Sequence, residues 1–370
     1  MATGGGAGGK PKYEQVKDLI LDRIRSGDWR SGDRLPPEPE LTEAMGVSRH
    51  TLRQAVGDLV QEGWLDRRHG SGTYVLNRAG GGRRGAPALV GVVTTYFSEY
   101  IFPSIVRGIE AYLSERGYGV VLASTDNQRD REPACLAQML ERGVSGLIIE
   151  PAQSALPDPN LSMYQAMSDR GLPYVMINGT YFGLGAPAVT LDDCGGAYQL
   201  TRHLLDLGHR SIAALVKTDD VQGVERERGV RLALSDSGIL PREDWFCRYS
   251  TRERELKPVE FVQGLVSGAD RPTALVCYND QIALQVLPVL ERAGLRVPDD
   301  ISVTGFDNSN LLASAGVPLT TAAHPQEELG RQAAELLCDL MDGEARPYRR
   351  SVRYLPGLVV RSSTARPPEQ

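Results

Sequence analysis

Long apolar segments are missing from this sequence of 370 residues. No stretch approaches the roughly 18 uncharged apolar residues that a helix needs to cross a bilayer, and the Gly-rich residues 1–10 are not followed by the apolar run of a signal peptide. The five cysteines are far apart and never form a C-x-x-C pair, which argues against a disulfide framework or a structural zinc site. We therefore expect a cytoplasmic protein that does not enter the membrane.

Enzymatic motifs are equally scarce. The sequence contains no P-loop, no G-x-S-x-G and no H-E-x-x-H, and its five histidines are never at metal-ligand spacing. Residues 183–188 superficially match the nucleotide-binding pattern G-x-G-x-x-A, but they precede a predicted strand and contain Pro187, so we interpret them as a loop. We expect no catalysis, no cofactor and no metal. His203 and His209 are expected to flank the end of a surface helix.

Charge is distributed unevenly along the chain. With 41% hydrophobic and 24% charged residues, the composition is that of a globular protein, and the length favours two or three domains. Residues 1–87 carry 14 Lys and Arg against 11 Asp and Glu, whereas residues 88–370 carry 27 against 36. A weakly basic head on an acidic body is expected when only one end of a protein meets phosphate groups.

A Gly- and Arg-rich run separates these two regions. We predict a disordered tail over residues 1–10, a small helical domain over residues 11–78, a flexible linker over residues 79–87 and a larger domain over residues 88–370. Within the small domain, helical patterns cover residues 13–26, 38–45 and 48–62, and two short strands, 64–68 and 73–75, flank a Gly-rich turn.

The second and third predicted helices are joined by a turn at Gly46, which is helix-turn-helix spacing. Arg49 and Arg53 share one face of the third helix, from which a guanidinium can bind guanine O6 and N7 in the major groove. His50 lies beside them. These three residues alone are also typical of a solvated helix face. The following hairpin favours DNA binding, because a Gly-rich tip over residues 69–72 can approach phosphates or the minor groove.

The small domain resembles the GntR-type winged helix-turn-helix. The motifs that carry the resemblance are G-D-R-L-P-P-E at residues 32–38, V-S-R-H-T-L-R at residues 47–53 and G-S-G-T at residues 70–73. It implies a bacterial DNA-binding domain that binds a two-fold symmetric operator as a dimer. By motif position it implies DNA contacts from the third helix, from two basic residues near the duplex backbone and from the wing. These are Ser48, Arg49, His50, Thr51 and Arg53, then Lys12 and Arg34, then His69 and Gly70.

Beyond the linker, short β-branched apolar runs alternate with helical patterns. Nine strands are predicted, beginning at residues 89, 119, 146, 174, 188, 211, 246, 274 and 302. Such repetition implies an α/β fold with parallel sheets covered by helices on both faces. The region exceeds a usual single core, which favours two sheet lobes with a ligand cleft between them.

Polar side chains follow the ends of many of these strands. Ligands of open α/β sheets bind beyond the carboxyl ends of the strands, so these groups are expected to project into one crevice. There carboxylates, amides and the donor fork of Arg226 would suit a neutral polyhydroxyl ligand. Each could instead cap the helix that follows its strand. The polar residues are Glu150, Asn178, Asp192, Asp193, Asn279, Asp280, Asp307 and Asn308, and Tyr96, Tyr100, Phe102 and Tyr181 could lie against a sugar ring.

The larger domain is similar to the LacI/GalR-type effector domain. The resemblance rests on L-V-G-V-V-T at residues 89–94, H-L-L-D-L-G-H-R at residues 203–210, Y-N-D-Q-I-A at residues 278–283 and V-P-D-D-I-S-V-T-G-F-D at residues 297–307. It implies a two-lobed, periplasmic-binding-protein-like fold whose chain crosses between the lobes near Leu191, His324 and Tyr354. By motif position it implies effector contacts from Tyr100, Phe102, Glu150, Asn178, Gln222, Arg226, Asn279, Asp307 and His324, with Lys217 and Asp219 as further candidates.

A GntR-type head joined to such a body by a Gly-rich linker, in place of the usual hinge helix, resembles the arabinose-repressor family of Gram-positive bacteria. This resemblance implies a homodimeric repressor that leaves operator DNA when it binds L-arabinose. Two alternatives remain open at this point. The effector could be another sugar or a sugar phosphate, or the body could belong to a solute-binding protein of a transporter, against which the intact head argues.

Overall fold

A computed structural model describes residues 10–26, 28–29, 32–68, 72–76, 88–98, 100–157, 160–268, 270–314, 316–343 and 351–368. The chain divides into two compact units, residues 1–89 with 143–145 and residues 90–142 with 146–370. We call the first unit the head and the second the body, and consider each by itself. The predicted linker and the wing residues His69 and Gly70 lie outside the described residues.

The head contains three helices and an antiparallel hairpin. Its elements are α1 (Lys12–Arg25), α2 (Glu38–Met45), α3 (Arg49–Gln61), β1 (Leu65–Arg68) and β2 (Gly72–Val75). The predicted elements are thereby confirmed to within a residue or two. Gly46 ends α2 with a left-handed φ of 62°, which a glycine adopts at no steric cost. Ser48 begins α3 by accepting a hydrogen bond from the backbone N–H of Thr51.

The first lobe of the body is a six-stranded sheet in the order β13-β7-β6-β5-β3-β4. Its strands are β3 (Ala88–Thr94), β4 (Tyr118–Ser124), β5 (Gly146–Ile149), β6 (Tyr174–Ile177), β7 (Ala188–Leu191) and β13 (Ser351–Tyr354). Its helices are α4 (Phe102–Glu115), α5 (Glu132–Glu141), α6 (Leu161–Asp169) and α11 (Gln326–Met341).

The second lobe is a six-stranded sheet in the order β14-β12-β11-β10-β8-β9. Its strands are β8 (Ile212–Lys217), β9 (Phe246–Tyr249), β10 (Ala274–Cys277), β11 (Ser302–Asp307), β12 (Thr320–Ala323) and β14 (Gly357–Val359), and its helices are α7 (Asp193–Asp206), α8 (Val221–Asp236), α9 (Lys257–Ser267) and α10 (Asp280–Arg292). Short 3-10 helices cover Glu243–Trp245, Thr251–Glu253 and Asn310–Ser314. The pairing of β12 with β14 is antiparallel, and the other pairings described within this sheet are parallel.

All nine predicted strands are confirmed, and the α/β fold class with them. Strands β12, β13 and β14 were not predicted as strands. They are three or four residues long, and β13 is half exposed at a sheet edge, so they lack the continuous apolar run that marks a buried parallel strand.

The chain crosses between the lobes three times. It passes from β7 to α7 at Asp192, from β12 to α11 at His324, and from β13 to β14 after Tyr354. These are the crossings that the LacI/GalR resemblance implied. The strands at these crossings, β7, β12, β13 and β14, lie together at one edge of the two sheets. This edge therefore forms the hinge of the body. No described helix is long and apolar enough to cross a bilayer.

Candidate functional site

A cavity between the lobes is lined by residues that follow the strands of both sheets. Its volume is about 100 Å³, several times the space that one water molecule needs. The structure brings all nine predicted effector residues together in its lining, namely Tyr100, Phe102, Glu150, Asn178, Gln222, Arg226, Asn279, Asp307 and His324. We call this cavity the effector pocket. Their contacts with an effector stay a prediction.

Arg226 is the charged centre of the effector pocket. Its Nε donates to Asp193 Oδ1 at 2.9 Å, one Nη donates to the carbonyl of Tyr278 at 2.7 Å, and the other donates to Asp307 Oδ1 at 3.3 Å. The guanidinium lies 3.6 Å from the ring centroid of Phe306, a cation–π arrangement. Arg226 is therefore a planar fork fixed on all its edges, with two buried carboxylates beside it.

The two carboxylates beside Arg226, Asp193 and Asp307, differ in their surroundings. Burial raises the pKa of Asp193 to about 7, although the charge of Arg226 acts in the opposite direction. Asp307 also accepts a hydrogen bond of 2.6 Å from the hydroxyl of Tyr100, which belongs to the other lobe. Tyr100 and Asp307 have left-handed φ angles of 62° and 94°. Such conformations are costly for residues with a side chain and concentrate at functional sites.

A second group of polar side chains forms a hydrogen-bonded chain. Glu150 accepts from the backbone N–H of Thr95 at 2.9 Å and from Asn178 Nδ2 at 2.8 Å. The Asn178 carbonyl therefore faces the other way, and it lies 3.1 Å from His324 Nε2. Because an amide oxygen can only accept, Nε2 carries the proton and Nδ1 of a neutral His324 is an acceptor. Burial lowers the pKa of His324 to about 4.

Three side-chain atoms of the effector pocket are buried without a partner among the described residues. They are His324 Nδ1, Gln222 Oε1 and the hydroxyl of Tyr249, and the first two can only accept a hydrogen bond. Buried acceptors left without a partner destabilise a fold unless a ligand or water satisfies them. The pocket therefore presents two vacant acceptors to a donor such as a hydroxyl group.

Aromatic side chains line one side of the effector pocket. The ring of Phe102 lies 5.8 Å from that of Tyr96, and Arg254 covers the same tyrosine at 5.2 Å. The predicted role of Tyr181 is wrong, because its hydroxyl is buried beside Glu132 and donates to the carbonyl of Ala152 outside the pocket lining.

Some polar residues that follow strands do cap helices, as the alternative interpretation allowed. Asn279 accepts from the backbone N–H of Ile282 and thus begins α10, although it also lines the effector pocket. Asp192 caps α7 and pairs with Arg353, so its predicted place in the crevice is wrong.

Two further predictions about the crevice are wrong. Asp280 accepts from the backbone N–H of Ser309 and from the Thr321 hydroxyl, and Asn308 accepts from Arg361. Both are thus used within the second lobe, outside the pocket lining.

His209 also differs from the sequence-based expectation. It is buried, not at a surface helix end, and its ring lies within 3.1 Å of Thr273 Oγ1, Ser302 Oγ and the carbonyl of Ala365. Three polar partners from distant parts of the chain make this burial tolerable.

Several pocket residues were not predicted as effector contacts. Most lie at the end of a strand or in the loop after one, which is the signal that could have identified them. They are Thr95, Asn127, Asp220, Tyr249, Arg254 and Tyr278, with Gln281 in the first turn of α10. Tyr96, Asp193 and Lys217 also line the pocket and had been weaker candidates.

The cations of the effector pocket are compensated. Lys217 Nζ lies 2.7 Å from Asp220 and 3.5 Å from Asp219, just as Arg226 lies between Asp193 and Asp307. Arg254 pairs with Glu255 at 3.0 Å. The pocket thus has no buried cation in its described lining that is free to neutralise an anionic ligand.

Those predicted DNA-binding residues of the head that the structure describes lie at its surface. Arg49, His50 and Arg53 are exposed on α3, and Arg53 donates to Glu38 at 2.9 Å. The Ser48 and Thr51 hydroxyls bond to each other at 2.8 Å where α3 begins.

Other predicted contacts are more dispersed. Arg34 lies against Gly72, whose missing Cβ would be 2.6 Å from Arg34 Nε, and Arg34, Glu38, Arg67 and Arg68 surround one surface depression. Lys12 is exposed as the first residue of α1, and no described contact joins it to the others.

Two family models match separate parts of the chain. The model of the bacterial regulatory proteins of the gntR family matches residues 12–75, and that of the periplasmic binding protein-like domain matches residues 201–364. The arabinose metabolism transcriptional repressor of Geobacillus stearothermophilus is 43% identical over 96% of this chain and 98% of that protein. The repressor of the same name from Halalkalibacterium halodurans is 40% identical over 96% of each.

Solved structures support the same assignment. A LacI family transcriptional regulator from Enterococcus faecium with bound ribose is 26% identical, with a TM-score of 0.64 over 75% of this chain and 99% of that one. A winged helix-turn-helix head and a two-lobed body with an effector pocket define a class of ligand-responsive transcriptional regulators rather than enzymes. This chain belongs to the GntR-headed family that includes the arabinose metabolism transcriptional repressors.

Proposed function

We propose that this protein represses arabinose-utilisation genes in the cytoplasm. Its winged heads bind operator DNA as a homodimer, and L-arabinose in the effector pocket releases that DNA. The two relatives named as arabinose metabolism repressors support the choice of sugar. The gntR-family match to residues 12–75 favours this role over that of a transporter's solute-binding protein.

The observation that carries the proposal is the chemistry of the pocket lining. Two vacant acceptors, His324 Nδ1 and Gln222 Oε1, lie in a cavity that also contains the fixed Arg226 fork. Ligand hydroxyls can donate to the acceptors and receive from amide or guanidinium groups. The aromatic rings of Tyr96 and Phe102 offer an apolar surface to the C–H face of a sugar ring.

A phosphorylated effector is disfavoured by the same lining. Lys217 and Arg226 each lie between two carboxylates. Their positive charges are therefore already neutralised and would not compensate the charge of a phosphate. Burying an uncompensated anion costs several kcal/mol. Arg254 at the pocket mouth is the cation best placed to tolerate such a ligand.

The sugar can release DNA only if it binds one arrangement of the body more tightly than the other. A difference of roughly 1 to 3 kcal/mol between the DNA-competent and released states is typical of such coupling. The lobes rotate about the hinge formed by the three crossings, so closure around the sugar is the change that distinguishes the states. In a dimer, that closure alters the arrangement of the two heads.

A sugar panel tests the choice of effector. Titration calorimetry with L-arabinose, D-xylose, D-ribose and an arabinose phosphate should give a clear heat only with L-arabinose. Arg254→Ala should lower that affinity by only a few fold, because Arg254 is half-buried against Tyr96 and its ion pair with Glu255 is partly exposed. Tight binding of the phosphate that Arg254→Ala abolishes would contradict the proposal.

A mobility-shift assay tests release. The full chain should bind a fragment of its own upstream region, and L-arabinose should dissociate that complex at concentrations near the calorimetric Kd. Sedimentation should show a dimer on the fragment. Equal DNA binding with and without every sugar in the panel would overturn the proposed regulation.

A further inference from the structure

The lobes also touch at the rim of the cleft opposite the hinge. The crossings involve β7, β12, β13 and β14, which lie together at one edge of the sheets, whereas β4 and β9 form the opposite edges. The loops after β4 and β5 of the first lobe meet the loops after β8 and β9 of the second. Among the described residues, three hydrogen bonds join them, and none of the three uses any of the nine main predicted effector contacts, although Asp219 was a further candidate.

The first bond connects Asn127 to Thr251. Asn127 Nδ2 donates to Thr251 Oγ1 at 2.7 Å, while Asn127 Oδ1 accepts from the backbone N–H of Gln153 at 2.7 Å. Asn127 is only 3% exposed. Its amide is therefore oriented by its own lobe and aimed across the cleft at the other.

The other two bonds lie beside it. The backbone N–H of Val221 donates to Ser154 Oγ at 3.0 Å, and Gln153 Nε2 donates to Asp219 Oδ2 at 3.4 Å. Val221 is the first residue of α8, so its N–H has no acceptor within the helix. A side chain of the opposite lobe therefore caps the helix that carries Arg226.

The backbone of the first lobe is strained at this rim. Asp126, Asn127 and Gln153 have φ angles of 50°, 51° and 47°. The left-handed region is unfavourable for residues with a side chain, although Asp and Asn adopt it more readily than Gln does. Strain that persists in three residues of one rim, each close to a bond across the cleft, fits a segment shaped to reach the other lobe.

We propose that these three bonds, Asn127–Thr251, Ser154–Val221 and Gln153–Asp219, form a rim latch that increases the fraction of effector-free molecules with closed lobes and thereby sets the effector affinity. Apparent affinity scales with the fraction of molecules in the binding-competent state. A latch of protein–protein bonds raises that fraction before any sugar arrives. The effector's identity rests on the function proposed above, but the latch itself does not.

The double variant Ser154→Ala with Thr251→Val tests the latch. Neither residue lines the effector pocket, and each change removes one acceptor while keeping the side-chain volume similar. Thr218→Val is the matched control, because the Thr218 hydroxyl donates to the carbonyl of Tyr249 within the second lobe. All proteins are studied as full chains.

Two readouts separate the latch from the proposed effector. In effector-free protein, the amide hydrogen of Val221 and the peptides at the cleft mouth should exchange several times faster in the double variant than in the parent or in Thr218→Val. The Kd for L-arabinose should rise about five- to tenfold, as expected for two neutral hydrogen bonds, because fewer effector-free molecules are in the binding-competent state.

Each outcome is decisive. Unchanged hydrogen exchange in the double variant would overturn the latch. Faster exchange with an unchanged Kd would show that closure does not set affinity, and would overturn that part of the proposal. If no variant or parent binds L-arabinose, the proposed effector is wrong, while the exchange result still decides whether the rim latch exists.

Discussion

Glu38, the first residue of α2, accepts a hydrogen bond of 2.9 Å from Arg53 Nε on α3. The pair is exposed, with 64% of the Arg53 side chain accessible, so it contributes at most about 1 kcal/mol to stability. The Nε edge of the guanidinium is thus occupied, and no hydrogen bond described for Arg53 uses its two Nη groups. A second exposed arginine, Arg49, lies one turn earlier on the same helix.

Arg53→Ala should therefore weaken operator binding without loosening the head. A bidentate contact to guanine contributes about 1 to 3 kcal/mol, which corresponds to a roughly five- to 150-fold loss of affinity. Arg49→Ala should act in the same direction. Mobility shifts and thermal unfolding measure the two effects separately, and L-arabinose affinity should not change.

Arg296→Ala is the control for that experiment. Arg296 is also exposed and also pairs with a carboxylate, Asp300 at 3.0 Å, but it belongs to the body. Its loss should leave DNA binding intact. Parent-like operator binding by both Arg49→Ala and Arg53→Ala would show that α3 does not enter the groove with this face.

Arg226→Ala should abolish induction while operator binding persists. The change leaves Asp193 and Asp307 buried without their cation, a loss of about 3 to 5 kcal/mol in comparable buried pairs. Arg226→Lys retains the charge but cannot form the planar fork, so it should recover stability more than sugar affinity. Calorimetry, thermal unfolding and mobility shifts distinguish these effects.

Arg228→Ala, two residues away on α8, gives the comparison. Arg228 pairs with Glu225 at the surface, with 56% of its side chain exposed, so induction should survive this change. Loss of induction in Arg228→Ala as well would mean that α8 is disturbed as a whole, and that the fork of Arg226 has no special role.

Asp192 and Asp193 show where sequence-based prediction ends. Both follow β7, yet Asp193 faces Arg226 in the pocket while Asp192 caps α7. The direction of a side chain at a strand end depends on the turn that follows, and alternation along the strand no longer applies there. The βα rhythm identified nine strands because each is a local apolar run. Strand β13 has no such run, and it could be recognised as a strand only from its pairing with β7.

The burial of His209 likewise could not be predicted from the sequence. Its neighbours along the chain indicated a helix end, and the structure does place it just after α7. Its three hydrogen-bond partners come from residues 273, 302 and 365. The sequence does not reveal that such distant groups converge in the fold. Motif resemblance carries information about tertiary structure, and all nine effector residues predicted from it do line the effector pocket.

The contribution of His324 to effector affinity should be constant near neutrality and fall in acid, whereas Asp193, with a pKa of about 7, adds its own pH dependence around neutrality. The pKa of His324 is lowered to about 4, so its Nδ1 remains an acceptor down to roughly pH 5. Below that pH, protonation of Nδ1 would turn this acceptor into a donor, which cannot receive a hydrogen bond from the ligand hydroxyl. Calorimetry from pH 8 to pH 4.5 measures this dependence, and His324→Gln, which retains an acceptor that does not titrate, should show a smaller acid loss.

The same group affects stability with a definite sign. The unfolded chain protonates His324 near pH 6.5, whereas the folded protein does so only near pH 4. Between these values the unfolded state binds more protons, so the contribution of His324 to the unfolding free energy decreases as the pH falls. A parent and a His324→Gln protein with identical acid profiles of both affinity and stability would contradict the assigned protonation state.

Close packing of α4 against α11 should be essential for the effector pocket. A Cβ on Gly330 would lie 2.1 Å from the carbonyl oxygen of Ile105, and backbone cannot yield as a flexible side chain can. Gly330→Ala should therefore lower the unfolding free energy by about 1 to 3 kcal/mol. Since α4 begins at Phe102 and α11 begins just after His324, separating these helices also moves both pocket residues, and L-arabinose affinity should fall.

Gly264→Ala should have the opposite effect on the stability of the body. Gly264 lies inside α9 with nothing within 4 Å of its missing Cβ, so alanine should stabilise the helix by about 0.5 to 1 kcal/mol and leave sugar binding unchanged. Urea unfolding and calorimetry on both variants measure the contrast. If Gly330→Ala unfolds at the same urea concentration as the parent, the two helices are not in the close contact that positions the hinge side of the effector pocket.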